Sequence, residues 1–384
     1  MNKFIVSIVV IFYATQVIGV PVVRRNFFKD VMGVNEAIFL LSSPDKVAKY
    51  IKRGTNSAGK PVYFLNSFQA GFFDTRSIGQ LREESHDLPM LGNGTFSVIV
   101  GGDPVLRNRV DVGANQANVV NNDAVFQIAS NFNALEMVSK DNLLERGIEE
   151  YCDDWTQGPF ASISATPGLI YRAYYLFYDP TTDPLAWRQT CGCQLNLLEK
   201  LPLRVTNGYL DLSEVKFEKD VPVLTERDKE NILVGVHRDI QVTHGFVLNP
   251  CDNHERLDKK DQVVSQVFTA ALDLGNANRH LKDSPRAQLL AQDLLNAAYE
   301  GTLRAAFVEG KKKVFLTLVG GGVFANDLAW IVQAIEKDKG FIRDSGLQVT
   351  LIVYKSDEKY KKVSQWLRTI VNDLQGTYQD HSRV

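Results

Sequence analysis

The chain has 384 residues, 45% of them apolar and 23% charged, with a formal net charge of −2. That length exceeds one minimal domain and suits one large or two ordinary globular units with a sizeable core. A near-neutral balance supplies no field that would gather nucleic acid, so no nucleic-acid partner is expected.

At the N-terminus, Lys3 precedes an apolar run from Phe4 to about Val20, and Val17-Ile18-Gly19 offers acceptable residues at a cleavage site. Residues 1–19 therefore read as a secretory signal peptide, with a signal anchor as the alternative. The run is short, Ser7, Thr15 and Gln16 interrupt it, and Arg24 and Arg25 follow it, which favours cleavage. No later stretch is long and apolar enough to span a bilayer, so a secreted, extracellular protein with no stable membrane span is expected. Cys152, Cys191, Cys193 and Cys251 suit an oxidising compartment with two disulfide bonds. Cys191 and Cys193 are too close to bridge each other normally, so bonds to Cys152 and Cys251 are expected. A zinc site near His237, His244 and His254 competes, but the paired CxxC spacing of a zinc ribbon is missing. No metal and no cofactor is expected. Asn93-Gly94-Thr95 is a glycosylation sequon.

Residues 20–90 read as a mixed extension packed on the main body. Ser43-Pro44-Asp45 opens a helix, Lys60 to Leu65 is a strand, and Phe68, Phe72 and Phe73 supply apolar contacts. Arg82 to Asp87 reads as an exposed connection.

From residue 91 to 384 an α/β rhythm begins, interrupted by an irregular inserted block at about 179–262. Thr95 to Val100 is a strand leading into Gly101-Gly102-Asp103, and Asp123 to Ala129 is another leading into Ser130-Asn131-Phe132-Asn133-Ala134-Leu135-Glu136. Ligands of open α/β sheets collect where strand C-termini meet loops, so these corners are candidate binding residues. Asn131 and Asn133 carry amides suited to sugar hydroxyls, although turn chemistry and helix capping account for most asparagines after strands and are the favoured reading of each taken alone. Thr156 to Gly168 reads as a loop of small residues, including Gly158 and Ser162, that either meets a ligand or lets two elements pack tightly. Within the block, Ile232 to His237 and Gln241 to His244 read as two short paired strands. His237 and His244 are possible bases, though isolated histidines are more often structural. Val263 to Leu274 is apolar without a decisive period, and Ser284-Pro285 opens a long helix to about Glu309.

The most informative stretch is Lys311 to Asp327. Val314 to Val319 is a β-branched apolar run, the pattern of a strand buried on both faces of a parallel sheet. Gly320-Gly321-Gly322 follows, and then a helix with Leu328, Ile331, Val332 and Ile335 on one face, capped by Asn326 or Asp327. Glycines between a strand and a helix let phosphate approach unpaired main-chain amides, or simply form a tight turn. Gly346 to Tyr354 reads as the last strand, before a final helix capped by Ser356.

This order of pieces resembles the macro domain, a three-layer α/β/α fold that binds ADP-ribose. Gly102-Asp103, the strand and corner from Val125 to Asn133, the loop Gly158 to Gly168, and Val314 to Phe324 carry the resemblance, the last being similar to the family's strand and Gly-x-Gly-Val-Phe. It implies a mixed, largely parallel sheet, with Asp103 accepting from the adenine amino group and Asn131 and Asn133 near the distal ribose. It further implies that Gly320, Gly321, Gly322, Val323 and Phe324 wrap the diphosphate. The implied partner is ADP-ribose or an ADP-ribosylated protein. The sequence departs from the family at Gln157-Gly158-Pro159-Phe160-Ala161-Ser162, which holds no acid, and the paired glutamates of poly(ADP-ribose) glycohydrolases are absent from this loop. Glu136 is then the carboxylate nominated for hydrolysis. The alternative is a degenerate scaffold acting as an extracellular interaction or structural protein.

Overall fold

The structure is a computed structural model that describes residues 27–101, 110–154, 156–213, 215, 223–245, 256–257, 259–276, 278–353 and 358–381. The signal segment, Asp103, Cys251, His254 and Ser356 lie outside the described residues. Twelve strands are described, β1 (Ile51–Thr55), β2 (Pro61–Leu65), β3 (Phe68–Ser77), β4 (Thr95–Gly101), β5 (Val125–Ala129), β6 (Arg204–Thr206), β7 (Tyr209–Asp211), β8 (Leu233–Gln241), β9 (Val263–Thr269), β10 (Lys313–Leu316), β11 (Gln348–Val353) and β12 (Tyr378–His381). Ten of them form one sheet in the order β1-β2-β3-β8-β9-β5-β10-β11-β4-β12, and β6 and β7 form a separate hairpin.

The half from β9 to β12 is parallel throughout, and the half from β1 to β9 is antiparallel. Parallel pairing demands cover on both faces, and the alternation along the strands supplies it. Val314 and Leu316 face one core with the long helix Pro285–Val308 and the helices Leu328–Lys337 and Glu358–Asp373. Phe315 faces the other, stacked on Phe126 at 4.6 Å, together with the helices Gln157–Ser164 and Thr166–Tyr174. The result is the expected three-layer α/β/α arrangement around a mixed sheet.

Several local expectations are corrected. The extension contributes β1 to β3 to the sheet itself, and β8 of the irregular block is a single strand between β3 and β9. His237 therefore sits mid-strand, where its neighbours could not be read from local sequence. Ile78–His86 is a helix with a Ser77–Gln80 capping box, and its Arg82 Nε donates to Glu300 at 2.7 Å, so part of the supposed connection is structured. Thr156 to Gly168 is not a loop but parts of two short helices, in which small residues allow close approach. A Cβ at Gly168 would stand 2.9 Å from Ile240 of β8. Beyond the last expected strand, β12 adds an edge parallel to β4. Cys191 and Cys193 are thiols, and Cys191 Sγ lies 3.0 Å from Glu145 Oε2 in the exposed turn Thr190–Cys193, so the expected bridges from this pair are not formed. No helix among the described residues is long and apolar enough to cross a membrane.

Candidate functional site

Because β9, β5, β10, β11 and β4 run parallel, their C-terminal ends share one edge of the sheet. A cleft of about 580 Å³ opens there, at the central strands β5 and β10, a size and a position suited to a small-molecule ligand.

One wall is the loop that leaves β10. Gly320 has φ +73°, and a Cβ there would stand 2.5 Å from that of Ala271, so this position requires glycine. Asn326 fixes the loop from behind, its amide donating to the carbonyls of Leu272 (2.8 Å), Phe324 (3.2 Å) and Gly320 (3.3 Å). Asp327, not Asn326, caps the following helix, accepting from Ala329 N–H at 2.9 Å. The loop uses its Gly321, Ala325 and Asn326 amides internally. The amides of Gly322, Val323 and Phe324 meet no acceptor among the described residues, and all three residues line the cleft. Gly322 is exposed with open space around its α-carbon.

The opposite wall is the corner after β5. Asn131 lines the cleft, but its side-chain amide is committed to Met137 O at 2.9 Å and so braces the corner. Asn133 does not reach the cleft. It is wholly buried, donating to Gln194 at 3.0 Å and accepting from Leu135 N–H at 3.1 Å, because the β6–β7 hairpin covers it through Gly208. This corrects the ribose-contact expectation for Asn133; turn chemistry is the role found.

Glu136 lines the cleft and is 4% exposed. Its Oε1 accepts from Ser162 Oγ at 3.0 Å, and its amide donates to Tyr151 Oη at 2.6 Å. Its Oε2 has no hydrogen-bond partner. Burial pushes the carboxyl up to about 8, against the pull of the Arg172 charge, of the hydrogen bond from Ser162 and of the neighbouring Tyr151 hydroxyl. Arg172, wholly buried, donates to Ser162 Oγ (3.0 Å), Ala134 O (3.0 Å) and His237 Nδ1 (3.2 Å), with its guanidinium 3.7 Å from the centre of the Phe268 ring. Burial draws it down to about 10.

Gly158 lines the cleft, and a Cβ there would stand 2.3 Å from Ala129 O and 3.1 Å from Glu136 Cγ. Ser162, on the same helix, does not reach the cleft; one turn along, it faces inward between Glu136 and Arg172. Neither His237 nor His244 lines the cleft. His237 Nε2 lies 2.7 Å from Ala70 O, and His244 Nδ1 lies 2.9 Å from Thr243 Oγ1 and 3.0 Å from Thr166 Oγ1, so both are buried structural groups.

Sequence reasoning missed Tyr209, Tyr151 and Arg172. Tyr209 comes from β7 in the irregular block, lines the cleft, donates to Met137 O at 2.7 Å and faces Phe324 with ring centres 5.9 Å apart. Arg172 did leave a signal, as the lone charge in Leu169-Ile170-Tyr171-Arg172-Ala173-Tyr174-Tyr175. A buried arginine needs partners, and the residues around it could have been searched for them.

No family model matches the chain, and no curated protein matches it. Among solved structures it is similar to a poly(ADP-ribose) glycohydrolase from Deinococcus radiodurans in complex with ADP-ribose, at 13% identity and a TM-score of 0.40 over 79% of this chain and 95% of that one. It is also similar to a poly(ADP-ribose) glycohydrolase from Thermomonospora curvata, at 10% identity and a TM-score of 0.41 over 88% of this chain and 97% of that one. At these values the likeness assigns no role to any residue of this chain.

Proposed function

We propose that this protein binds ADP-ribose, or a nucleotide sharing its diphosphate, in the cleft at the C-terminal edge of the sheet. The observation that carries this reading is the run of amides at Gly322, Val323 and Phe324, three residues lining one wall, that meet no acceptor among the described residues. Three adjacent donors beside an exposed glycine suit a diphosphate, whose oxygens accept several hydrogen bonds at once. The aromatic pair Tyr209 and Phe324 supplies an apolar surface beside it.

Glu136 favours a second step, hydrolysis at the anomeric carbon of the distal ribose. A carboxyl held protonated near neutral pH suits proton donation to the leaving oxygen as the carbon–oxygen bond breaks. Water would then attack the anomeric carbon and return a proton to the carboxylate. Calorimetric titration with ADP-ribose tests the binding. Micromolar affinity supports it, and the absence of heat together with no thermal shift favours a scaffold whose cleft is empty. Release of ADP-ribose from a modified protein, compared between the parent and Glu136→Gln, separates an enzyme from a binder.

A further inference from the structure

We infer that Arg172, acting through Ser162, is the positioning residue that commits one oxygen of Glu136 inward and leaves the other as the sole seat for its proton. The geometry forces this assignment. His237 Nε2 faces the carbonyl of Ala70, so that nitrogen carries the proton and Nδ1 is the acceptor for Arg172. The histidine is therefore neutral, in agreement with a pKa well below its ordinary value, caused by burial and by the Arg172 charge. Arg172 accepts nothing, so Ser162 Oγ must receive its N–H. A serine hydroxyl has one proton, and with Arg172 donating to the oxygen that proton goes to Glu136 Oε1, 3.0 Å away.

Oε1 is thus an acceptor in both protonation states. When Glu136 is protonated, the proton resides on Oε2, the oxygen without a partner. Neither Arg172 nor Ser162 lines the cleft, whereas Glu136 does, and its Oε2 is buried without a hydrogen-bond partner. Among the described residues no carboxylate hydrogen-bonds Arg172 directly, and Glu136, one hydroxyl away, is the carboxyl group whose charge acts on it. The other ionisable groups acting on the Glu136 carboxyl are the Tyr151 hydroxyl and the Asp154 carboxylate, which also lines the cleft. Conventional sequence reasoning would not connect these residues. Ser162 is 26 positions from Glu136 and 10 from Arg172, and His237 is 65 beyond Arg172. That this relay serves a bound sugar rests on the nucleotide reading; the relay itself does not.

The test is a carboxyl titration by NMR on full-length protein labelled with carbon-13 at the glutamate Cδ, the Glu136 signal being the one that Glu136→Gln removes. Wild-type Glu136 is expected to titrate near 8. Ser162→Ala removes a hydrogen bond to the ionised form and should raise the midpoint by about one unit. Arg172→Met should raise it further, and if that variant fails to fold, Ser162→Ala decides. An unchanged midpoint in a folded Ser162→Ala protein overturns the relay, because a serine that merely packs would leave the titration where it is. Adding ADP-ribose separates the two readings. A Glu136 signal shifted by ADP-ribose supports nucleotide binding, whereas the Ser162→Ala effect without any response to ADP-ribose supports the relay and counts against nucleotide binding.

Discussion

Gly322→Glu is the perturbation that most directly separates a ligand loop from a tight turn. Gly322 is exposed, has no positive φ, and would place a Cβ in open space, so the fold tolerates a side chain there within about 0.5 kcal/mol. The new carboxylate would stand beside the amides of Gly322, Val323 and Phe324, where a diphosphate is proposed to lie. Two like charges about 4 Å apart repel by about 1 kcal/mol in water and about 4 kcal/mol at the effective dielectric of a protein surface. Taking ~2 kcal/mol, ADP-ribose affinity should fall about 30-fold, with Gly322→Ala nearly unaffected. Isothermal calorimetry at physiological salt measures both variants, and chemical denaturation confirms that neither has lost stability. A Gly322→Glu protein that binds as tightly as the parent would refute the assignment of these amides to the ligand.

The neighbouring glycine should behave in the opposite way. Gly320→Ala puts a Cβ 2.5 Å from that of Ala271 in a left-handed backbone, so it should cost on the order of 2 kcal/mol in denaturation midpoints whether or not ligand is present. Gly158→Ala drives a Cβ against Ala129 O and Glu136 Cγ, and should weaken the fold and displace the Glu136 titration together. Burial, with repulsion from Glu300, holds the Asp338 carboxyl up to about 7. A raised acid contributes its stability below its unfolded pKa and loses it as pH climbs through the folded value. Asp338→Asn should therefore raise the melting temperature relative to the parent at pH 8 and give no such gain at pH 4, and equal gains at both would contradict the cause assigned. Cys191 and Cys193 should both be alkylated in the native protein without reductant; a mass consistent with a bridge between either of them and another cysteine would contradict the thiol state found here.

Much of the fold was legible because its signals are local. The apolar run at Val314, the three glycines, and the stripe at Leu328, Ile331, Val332 and Ile335 place strand, turn and helix without outside help, and a right-handed parallel connection follows from that order. Asn131 was singled out by the same reasoning, as a residue just past a strand end, whereas Gly158 and Glu136 were singled out only beside the family resemblance. The misreadings share a cause. Thr156 to Gly168 looks like a loop because Gly, Pro and Ser break helices in isolation, and only packing against β5 and β8 rewards two short helices of small residues there. Asn131 and Asn133 are chemically identical, and which one faces the cleft depends on a hairpin that arrives more than 70 residues later.

By itself, then, the sequence determined the α/β class, the central strand and the glycine turn at its end, since these depend on periodicity and backbone freedom within a few residues. The tertiary structure alone decided that the irregular block supplies an interior strand, that Tyr209 joins the cleft, and that Arg172 reaches Glu136 through Ser162. Those outcomes depend on which buried polar groups find each other across the chain, and one-dimensional pattern carries no record of that pairing.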